Sequence, residues 1–492
     1  MSDDVTTASP FVFGIASGDV THDSIVLWAK LATPEGKARW YVEPADPAVL
    51  ADGDAKPQAG DAIADPATGS IHAPVSGLEP GLQYRYWFEA DGSRSDEGLF
   101  KTIPVDRAVR FVVISCAKYN SGFFNAYKAV AEMDDIDFVL HLGDYIYEAA
   151  QVPTGKQTPG ADIGRPMDPL GDCMTRSDYD TRYALYRRDA DLLHMHARHA
   201  IIATIDDHEL SDNAWLGGAQ EHDDAKDGPW IDRSNAAMSV WSDWMPTLRH
   251  PAKGDHVWQE IDLGEAGRIL LCETRLARTD PAGHDGPDKT ALGHAQREWA
   301  LEKVQAGGPG WTFLALPSMI SDLEPAVHDT DALFALHKLK MVEPDSDEKF
   351  HDLWGTFGGE QDQLVEAVTR TPRTVVLSGD VHFSAEHARS EPEGEFIEWT
   401  VTSVTSPNLD DKMGWPRGAE SKNYEAALLK MLPAMQWCDL DSHGFAVVEA
   451  STQLVSCQWW FVDGVLKPSD SLAMGREVTV PMHREGTEQA QV

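Results

Sequence analysis

The rhythm of hydrophobic and polar positions changes once along the chain. Residues 10 to about 104 hold short β-rich runs, such as Ile25-Val26-Leu27-Trp28 and Tyr84-Arg85-Tyr86-Trp87-Phe88. Turn signals separate the runs, among them Glu79-Pro80-Gly81 and Asp91-Gly92. Several short strands with that punctuation predict a small β-sandwich. Residues 101–106, with Pro104 among them, read as a linker. From Val109 onward, apolar runs alternate with stretches of helical spacing. Residues 110–114 make a buried-strand run that ends in Ser115-Cys116. Residues 123–133 carry apolar side chains at 123, 124, 127 and 130, the spacing of one helix face. The next strand run, 138–142, ends in Gly143-Asp144.

The same theme recurs. Residues 201–205 run into Asp206-Asp207-His208-Glu209, 269–271 into Cys272-Glu273, 311–316 into Pro317-Ser318, and 374–378 into Gly379-Asp380-Val381-His382. Helical segments are predicted at 233–245, 295–304 and 361–368. Strands alternating with helices predict an α/β domain. The Gly-, Pro- and Asp-rich stretches 151–180 and 214–230 read as long surface loops. A last β portion is expected through 444–449, 455–462 and 478–480, followed by a disordered tail. The expected domains are therefore 1–104, 107–482 and the tail 483–492. No internal repeat is found.

At 492 residues, the chain is long enough to bury a sizeable core and to form two to four domains. Its 42% hydrophobic content is that of a globular protein. No apolar run reaches the roughly eighteen residues that cross a bilayer, so no transmembrane segment is expected. The charge balance is 41 minus 80, or −39. A field of that sign repels phosphate backbones and anionic lipid, which disfavours general nucleic-acid binding. It leaves room for a small phosphate ester, because bound cations invert the local field. The five cysteines are odd in number, widely spaced and free of any Cys-x-x-Cys, so neither a zinc knuckle nor a disulfide framework is expected. Met1-Ser2-Asp3-Asp4 has no basic n-region, apolar h-region or twin arginine, so no export signal is expected in the chain as written. Compartment and oligomeric state are left open.

The candidate chemistry lies at the strand ends: Cys116, Asp144 with Tyr147, Asp207 with His208, and Asp380 with His382. Each group follows an apolar run, so the seven side chains are expected on one rim of a sheet, where ligand sites of open α/β sheets gather. Alternation beyond the last run would turn Asp380 and His382 to the same side. Taken alone, Cys116 reads as a core thiol, Gly143-Asp144 as a turn or helix cap, and Tyr147 as a packed aromatic. The ordered set reads differently. Thiolate, phenolate, imidazole and carboxylate are metal ligands rather than the parts of a Ser-His-Asp triad.

The ordered set Ser115-Cys116, Gly143-Asp144-Tyr145-Ile146-Tyr147-Glu148, Asp206-Asp207-His208-Glu209 and Ser378-Gly379-Asp380-Val381-His382 resembles the alkaline phosphatase D (PhoD-like) family of calcineurin-type metallophosphoesterases. Phe13 to Asp19, Trp244-Met245-Pro246 and His443-Gly444-Phe445 resemble it too. The resemblance implies two facing β-sheets flanked by helices, preceded by an N-terminal fibronectin-like β-sandwich. It implies that Cys116, Asp144, Tyr147 and His382 hold iron(III), and a phenolate and a thiolate stabilise a trivalent iron better than they would Mg²⁺ or Ca²⁺. Asp144 would bridge to a second site, with Asp207 and Asp380 as hard oxygen donors for Ca²⁺, or for Mg²⁺ or Mn²⁺. His208 aligns with the histidine that the family places near the leaving group. The chain departs from the wider pattern at three places. Asp212-Asn213 stands where a pair of asparagines is common, and Glu273-Thr274-Arg275 where Asp-x-Arg is common. A separate single histidine ligand has no clear match.

The function so implied is metal-dependent phosphoester hydrolysis, of monoesters, diesters or both. A metal-bound hydroxide would attack phosphorus in line, His208 would serve the leaving oxygen, and Asn213 would contact a phosphate oxygen. Three alternatives remain open: a phosphodiesterase of phospholipase D-like specificity, a non-catalytic binding protein on the same fold, and a thiol hydrolase using Cys116.

Overall fold

Alternation within one strand shows how the layers are stacked. In the computed structural model, Phe111 and Val113 face one apolar cluster, and Val112 and Ile114 face another. Successive side chains of a strand point to opposite faces, so this sheet is covered on both sides. The structure describes residues 9–33, 36–52, 56–149, 162–283, 286, 288–321, 329–338 and 353–482.

The first hundred residues form β1 (Ile15–Gly18), β2 (Ser24–Lys30), β3 (Lys37–Pro44), β4 (Gln58–Ile63), β5 (Ser70–Ser76), β6 (Gln83–Ala90), β7 (Ser93–Arg94) and β8 (Gly98–Lys101). Then come β9 (Val109–Ile114), β10 (Phe138–His141), β11 (Ile201–Ala203), β12 (Gln259–Asp262), β13 (Gly267–Leu271), β14 (Trp311–Ser318) and β15 (Thr374–Gly379). The last six are β16 (Ser384–Glu391), β17 (Gly394–Thr400), β18 (Met435–Asp439), β19 (Gly444–Ala450), β20 (Leu454–Val462) and β21 (Leu472–Pro481).

Among the described residues these strands make two large sheets and a smaller one. The first large sheet runs β21-β20-β19-β9-β10-β11-β1-β2-β5, and the second β12-β13-β14-β15-β17-β16-β18. Their inner faces share one core: Phe111 stacks on Phe138 at 5.1 Å and meets Phe313 of the second sheet edge-on at 5.7 Å. Helices Asn125–Ala131, Arg176–Tyr186, Ala190–Arg198 and Trp230–Trp244 cover the outer face of the first sheet through Tyr127, Tyr183, Leu192 and Trp241. Helices His294–Ala306 and Gly358–Arg370 cover the second through Ala300, Val304, Leu364 and Val368. This is the expected class, two facing sheets flanked by helices, with a β-rich N-terminal region.

The N-terminal region is more tightly joined than a linker reading suggests. Strands β3, β4, β6, β7 and β8 form the small separate sheet, but β1, β2 and β5 continue the first large sheet. The junction is the parallel pairing of β1 with β11, Gly18 opposite Ile201. A Cβ at Gly18 would lie 2.5 Å from the Ile201 carbonyl oxygen, so only glycine allows the approach. No local pattern announces a pairing across 180 residues of sequence.

The apolar pattern of strands β16 and β17 is interrupted by charged residues such as Glu386, Arg389, Glu395 and Glu398, so the sequence does not mark them. The expected loop at 151–180 lies partly outside the described residues, and its end enters the helix Arg176–Tyr186 behind a Thr175–Asp178 capping box. The expected disordered tail, 483–492, lies outside the described residues. Among the described residues, no helix is long and apolar enough to cross a membrane.

Candidate metal centre

Strands β9, β10 and β11 run parallel and side by side, with His141 opposite Ile114 and Leu140 opposite Ile202. Their carboxyl ends therefore open at one edge. Ser115-Cys116, Gly143-Asp144 and Asp206-Asp207-His208 leave the sheet there. Gly143 has a φ of 103°, and a Cβ on it would lie 2.6 Å from the Asp206 backbone nitrogen, so glycine lets the two strand ends close up. Strand β15 ends on the facing sheet. The expectation of a single rim is thus corrected: Cys116, Asp144, Tyr147, Asp207 and His208 come from the first sheet, Asp380 and His382 from the second. An isolated parallel bridge, Ser115 to Ser403, ties the two sheets together at this mouth.

The backbone is strained at this edge. Among the described residues, eight other than glycine have positive φ, and five belong to the candidate set: Cys116 (60°), Asp144 (55°), Asn213 (54°), Asp380 (71°) and His382 (59°). Each such residue costs about 1 to 3 kcal/mol, and such strain gathers at functional sites. Asp380 and His382 are therefore aimed by a left-handed turn, not by the strand alternation expected of them.

Distances put most of the set together. The ligand atoms of Cys116, Asp144 and His382 lie within 4.8 Å of one another, and so do those of Asp144, Asp207 and His208. Asp144 belongs to both groups. The Tyr147 hydroxyl donates to Asp144 Oδ2 at 2.8 Å and lies 3.3 Å from His382 Nε2. His382 Nδ1 is 3.2 Å from the Pro407 carbonyl, which can only accept. The proton therefore sits on Nδ1, and the Nε2 lone pair faces Tyr147 and Asp144. Asn213 gives its backbone N–H to Asp207 Oδ2 at 2.7 Å, and its side-chain amide donates to Gln220 Oε1.

The electrostatics follow from burial and crowding. Burial, with the charges of Asp144 and Asp380, pushes the Cys116 thiol well above its usual range. Burial and the neighbouring Asp144 and Cys116 do the same to the Tyr147 phenol. Burial pushes Asp144 up and His382 down. His208 goes the other way. Burial works against its imidazolium, but Asp207, Glu148 and Asp144 outweigh burial and hold it well above its usual range. Burial also works against the Asp207 carboxylate, but Arg275 and His208 outweigh it and hold Asp207 low.

The PhoD-like phosphatase family matches residues 111–459, and the N-terminal domain of PhoD-like phosphatases matches residues 2–104. This chain belongs to the PhoD-like phosphatase family. Alkaline phosphatase D of Bacillus subtilis (strain 168) is 28% identical over 460 residues, 87% of this chain and 73% of that protein. A solved structure of PhoD superposes with a TM-score of 0.79 at 23% identity, over 97% of this chain and 91% of that one. The purple acid phosphatase PPD1 from yellow lupin (Lupinus luteus) seeds shares the fold at a TM-score of 0.54 and 14% identity, over 95% of this chain and 73% of that one. The chain is thus an enzyme of the phosphoester hydrolase class.

The PhoD-like set fits metal ions by its chemistry. Thiol, phenol and carboxyl face one another in a buried space, and each acidic neighbour makes the next harder to ionise; a cation among them reverses that. The structure also adds residues the sequence reading left out of the site. Glu209 staples two strand ends, accepting from the backbone N–H of Asp144 at 3.0 Å, Tyr145 at 2.6 Å and Asp206 at 2.8 Å. Glu148 holds His208 Nδ1 at 2.7 Å and the Asp212 N–H at 2.7 Å. Arg275 binds Asp206 at 2.5 Å and lies 3.8 Å from Asp207. Ser406, reached from the second sheet, donates to the Tyr147 oxygen at 2.6 Å. Glu148 and Glu209 stood inside the quoted motifs, so a signal existed. For Ser406 the only sign was a polar Thr405-Ser406-Pro407 following a strand.

Proposed function

We propose that the protein is a metal-dependent hydrolase of phosphate esters, with Cys116, Asp144, Tyr147 and His382 around an iron(III) and with Asp144, Asp207 and Asp380 around a divalent ion, Ca²⁺ for preference. The observation that carries this reading is the convergence of the Tyr147 hydroxyl, Asp144 and His382 Nε2 beside Cys116. When bound, two such cations would neutralise the ester's oxygens and lower the pKa of a water molecule. The chain's own residues do the rest. Glu148 fixes the ring of His208 through Nδ1, and the 4.0 Å contact with the Tyr147 ring holds its plane. That leaves Nε2 to donate a proton to the leaving oxygen, from an imidazolium the surrounding carboxylates keep charged. Asn213, anchored by its backbone to Asp207, would give a phosphate oxygen the amide N–H that does not go to Gln220. Residues 107–482 would carry the reaction, with 1–104 as a buttress on the shared sheet.

The test is metal analysis of the purified protein with assays on p-nitrophenyl phosphate and bis-p-nitrophenyl phosphate, before and after chelation. Bound iron and chelator-sensitive hydrolysis of at least one ester are expected. A metal-replete protein without iron that cleaves neither ester would overturn the reading.

A further inference from the structure

A carboxylate stands on the open side of His208. With Nδ1 committed to Glu148, the ring presents Nε2 outward, and Asp212 Oδ1 lies 3.8 Å from it. The Asp212 backbone is pinned: its N–H donates to Glu148 Oε1 at 2.7 Å, and its carbonyl accepts from Gln220 at 3.2 Å. Its side chain is one-quarter exposed, whereas that of His208 is one-tenth exposed and that of Glu148 almost fully buried. The order from inside to outside is therefore Glu148, His208, Asp212. A leaving oxygen that takes a proton from Nε2 must come up beside the Asp212 carboxylate.

We infer that Asp212 is a specificity-determining residue that discriminates substrates by charge, disfavouring dianionic phosphomonoesters relative to monoanionic diesters. The inference rests on the reading of this site as a phosphoester hydrolase. The physics is a difference of one unit charge. Above neutral pH a monoester carries two negative charges and a diester one, so a fixed carboxylate repels the first about twice as strongly. At several ångströms and a partly solvated dielectric, the extra repulsion amounts to about a five- to tenfold penalty. An imidazolium alone would favour the dianion; placing a carboxylate against its open nitrogen cancels that preference. Discrimination by a repulsive element is a common route to specificity.

The test compares kcat/KM for three nitrophenyl substrates in the wild type, Asp212→Asn and Asp212→Glu. They are p-nitrophenyl phosphate (dianion), bis-p-nitrophenyl phosphate (monoanion) and p-nitrophenyl phenylphosphonate (monoanion). In Asp212→Asn the monoester-to-diester ratio should rise about five- to tenfold, chiefly through a lower monoester KM, while the ratio of the two monoanions stays within about twofold. Asp212→Glu keeps the charge and should keep the wild-type ratio. If the asparagine variant does not fold, Asp212→Ser gives the same reading. An unchanged monoester-to-diester ratio overturns the inference. So does loss of a bound metal ion in Asp212→Asn, because the carboxylate would then be a ligand. Failure of the wild type to cleave any of the three would sink the hydrolase reading instead, so the two failures are distinct.

Discussion

Glu425, Asp439 and Asp441 bring their ligand atoms within 4.8 Å of one another, just as Cys116, Asp144 and His382 do. Distance does not separate the two groups; their surroundings do. In the acidic group Lys422 Nζ lies 2.8 Å from Glu425 Oε1 and 3.7 Å from Asp439 Oδ2. Backbone N–H groups of Leu440, Ser442 and Gly418 donate to Glu425, Asp439 and Asp441 at 3.3, 2.9 and 2.5 Å. The chain has answered that charge with its own ammonium and amides, and none of the three carboxylate residues has a left-handed backbone. At the strand ends the donors are of mixed type, and burial, with anionic neighbours, pushes a thiol and a phenol well above their usual range. Clustered carboxylates alone are thus poor guides to a metal site; mixed donors on strained backbone are better ones.

Substitution at one carboxylate of each group should give the largest contrast. Asp144→Asn removes the residue shared by both strand-end groups, so metal content should fall and the rate should drop on the order of 10³-fold, at least the cost of losing one oxyanion donor. Asp441→Asn should leave elemental analysis and ester hydrolysis within about twofold of wild type. Equal losses in both variants would erase the contrast.

Metal removal comes next. Stripping with a strong chelator should abolish hydrolysis and lower Tm, because a ligand at a thousand times its Kd stabilises by about 4 kcal/mol. In a Glu425→Gln background the drop in Tm should be the same. A smaller drop there would mean that the acidic group also binds the stripped ion.

Glu148→Gln keeps the shape around His208 but removes the charge behind Nδ1. The rate should fall about ten- to a hundredfold with metal content retained; elemental analysis alongside kcat separates orientation of His208 from loss of metal. Ser406→Ala removes the hydrogen bond to the Tyr147 oxygen, worth about 1 kcal/mol. Iron affinity should fall roughly fivefold, and the visible absorption band of the iron–phenolate pair should shift. The smallest effect belongs to Lys422→Met. Lys422 is more than half exposed, so the cost should stay below about 1 kcal/mol in a denaturation melt, and neither ester's rate should change.

The candidate site was readable in the sequence where short-range rules apply. Apolar runs that stop at polar residues mark strand ends, and those of β9, β10, β11 and β15 held Cys116, Asp144, Asp207 and Asp380 in plain view. Glu148 and Glu209 were visible as letters but not as parts, since their roles are contacts with His208 and with three backbone amides 64 or 65 residues away or nearby. Ser406 reaches Tyr147 across 259 residues, and only the polar Thr405-Ser406-Pro407 run hints at it. Strands β16 and β17 were missed because charged residues, buried Glu386 and Glu398 among them, blur their alternation.

By itself the sequence determined the core strands β9, β10, β11, β13, β14 and β15 and which polar residues stand where each ends. Those properties depend on neighbours two to four positions apart. Only the tertiary structure decided that β15 delivers Asp380 and His382 from the opposing sheet, that β1 fuses the N-terminal strands to the core through Gly18, and that Asp212 lies on the open side of His208. Such meetings are set by sheet order and register, and by backbone turned left-handed at Cys116, Asp144, Asn213, Asp380 and His382. They join residues hundreds of positions apart, and a linear pattern carries no term for the distance between them.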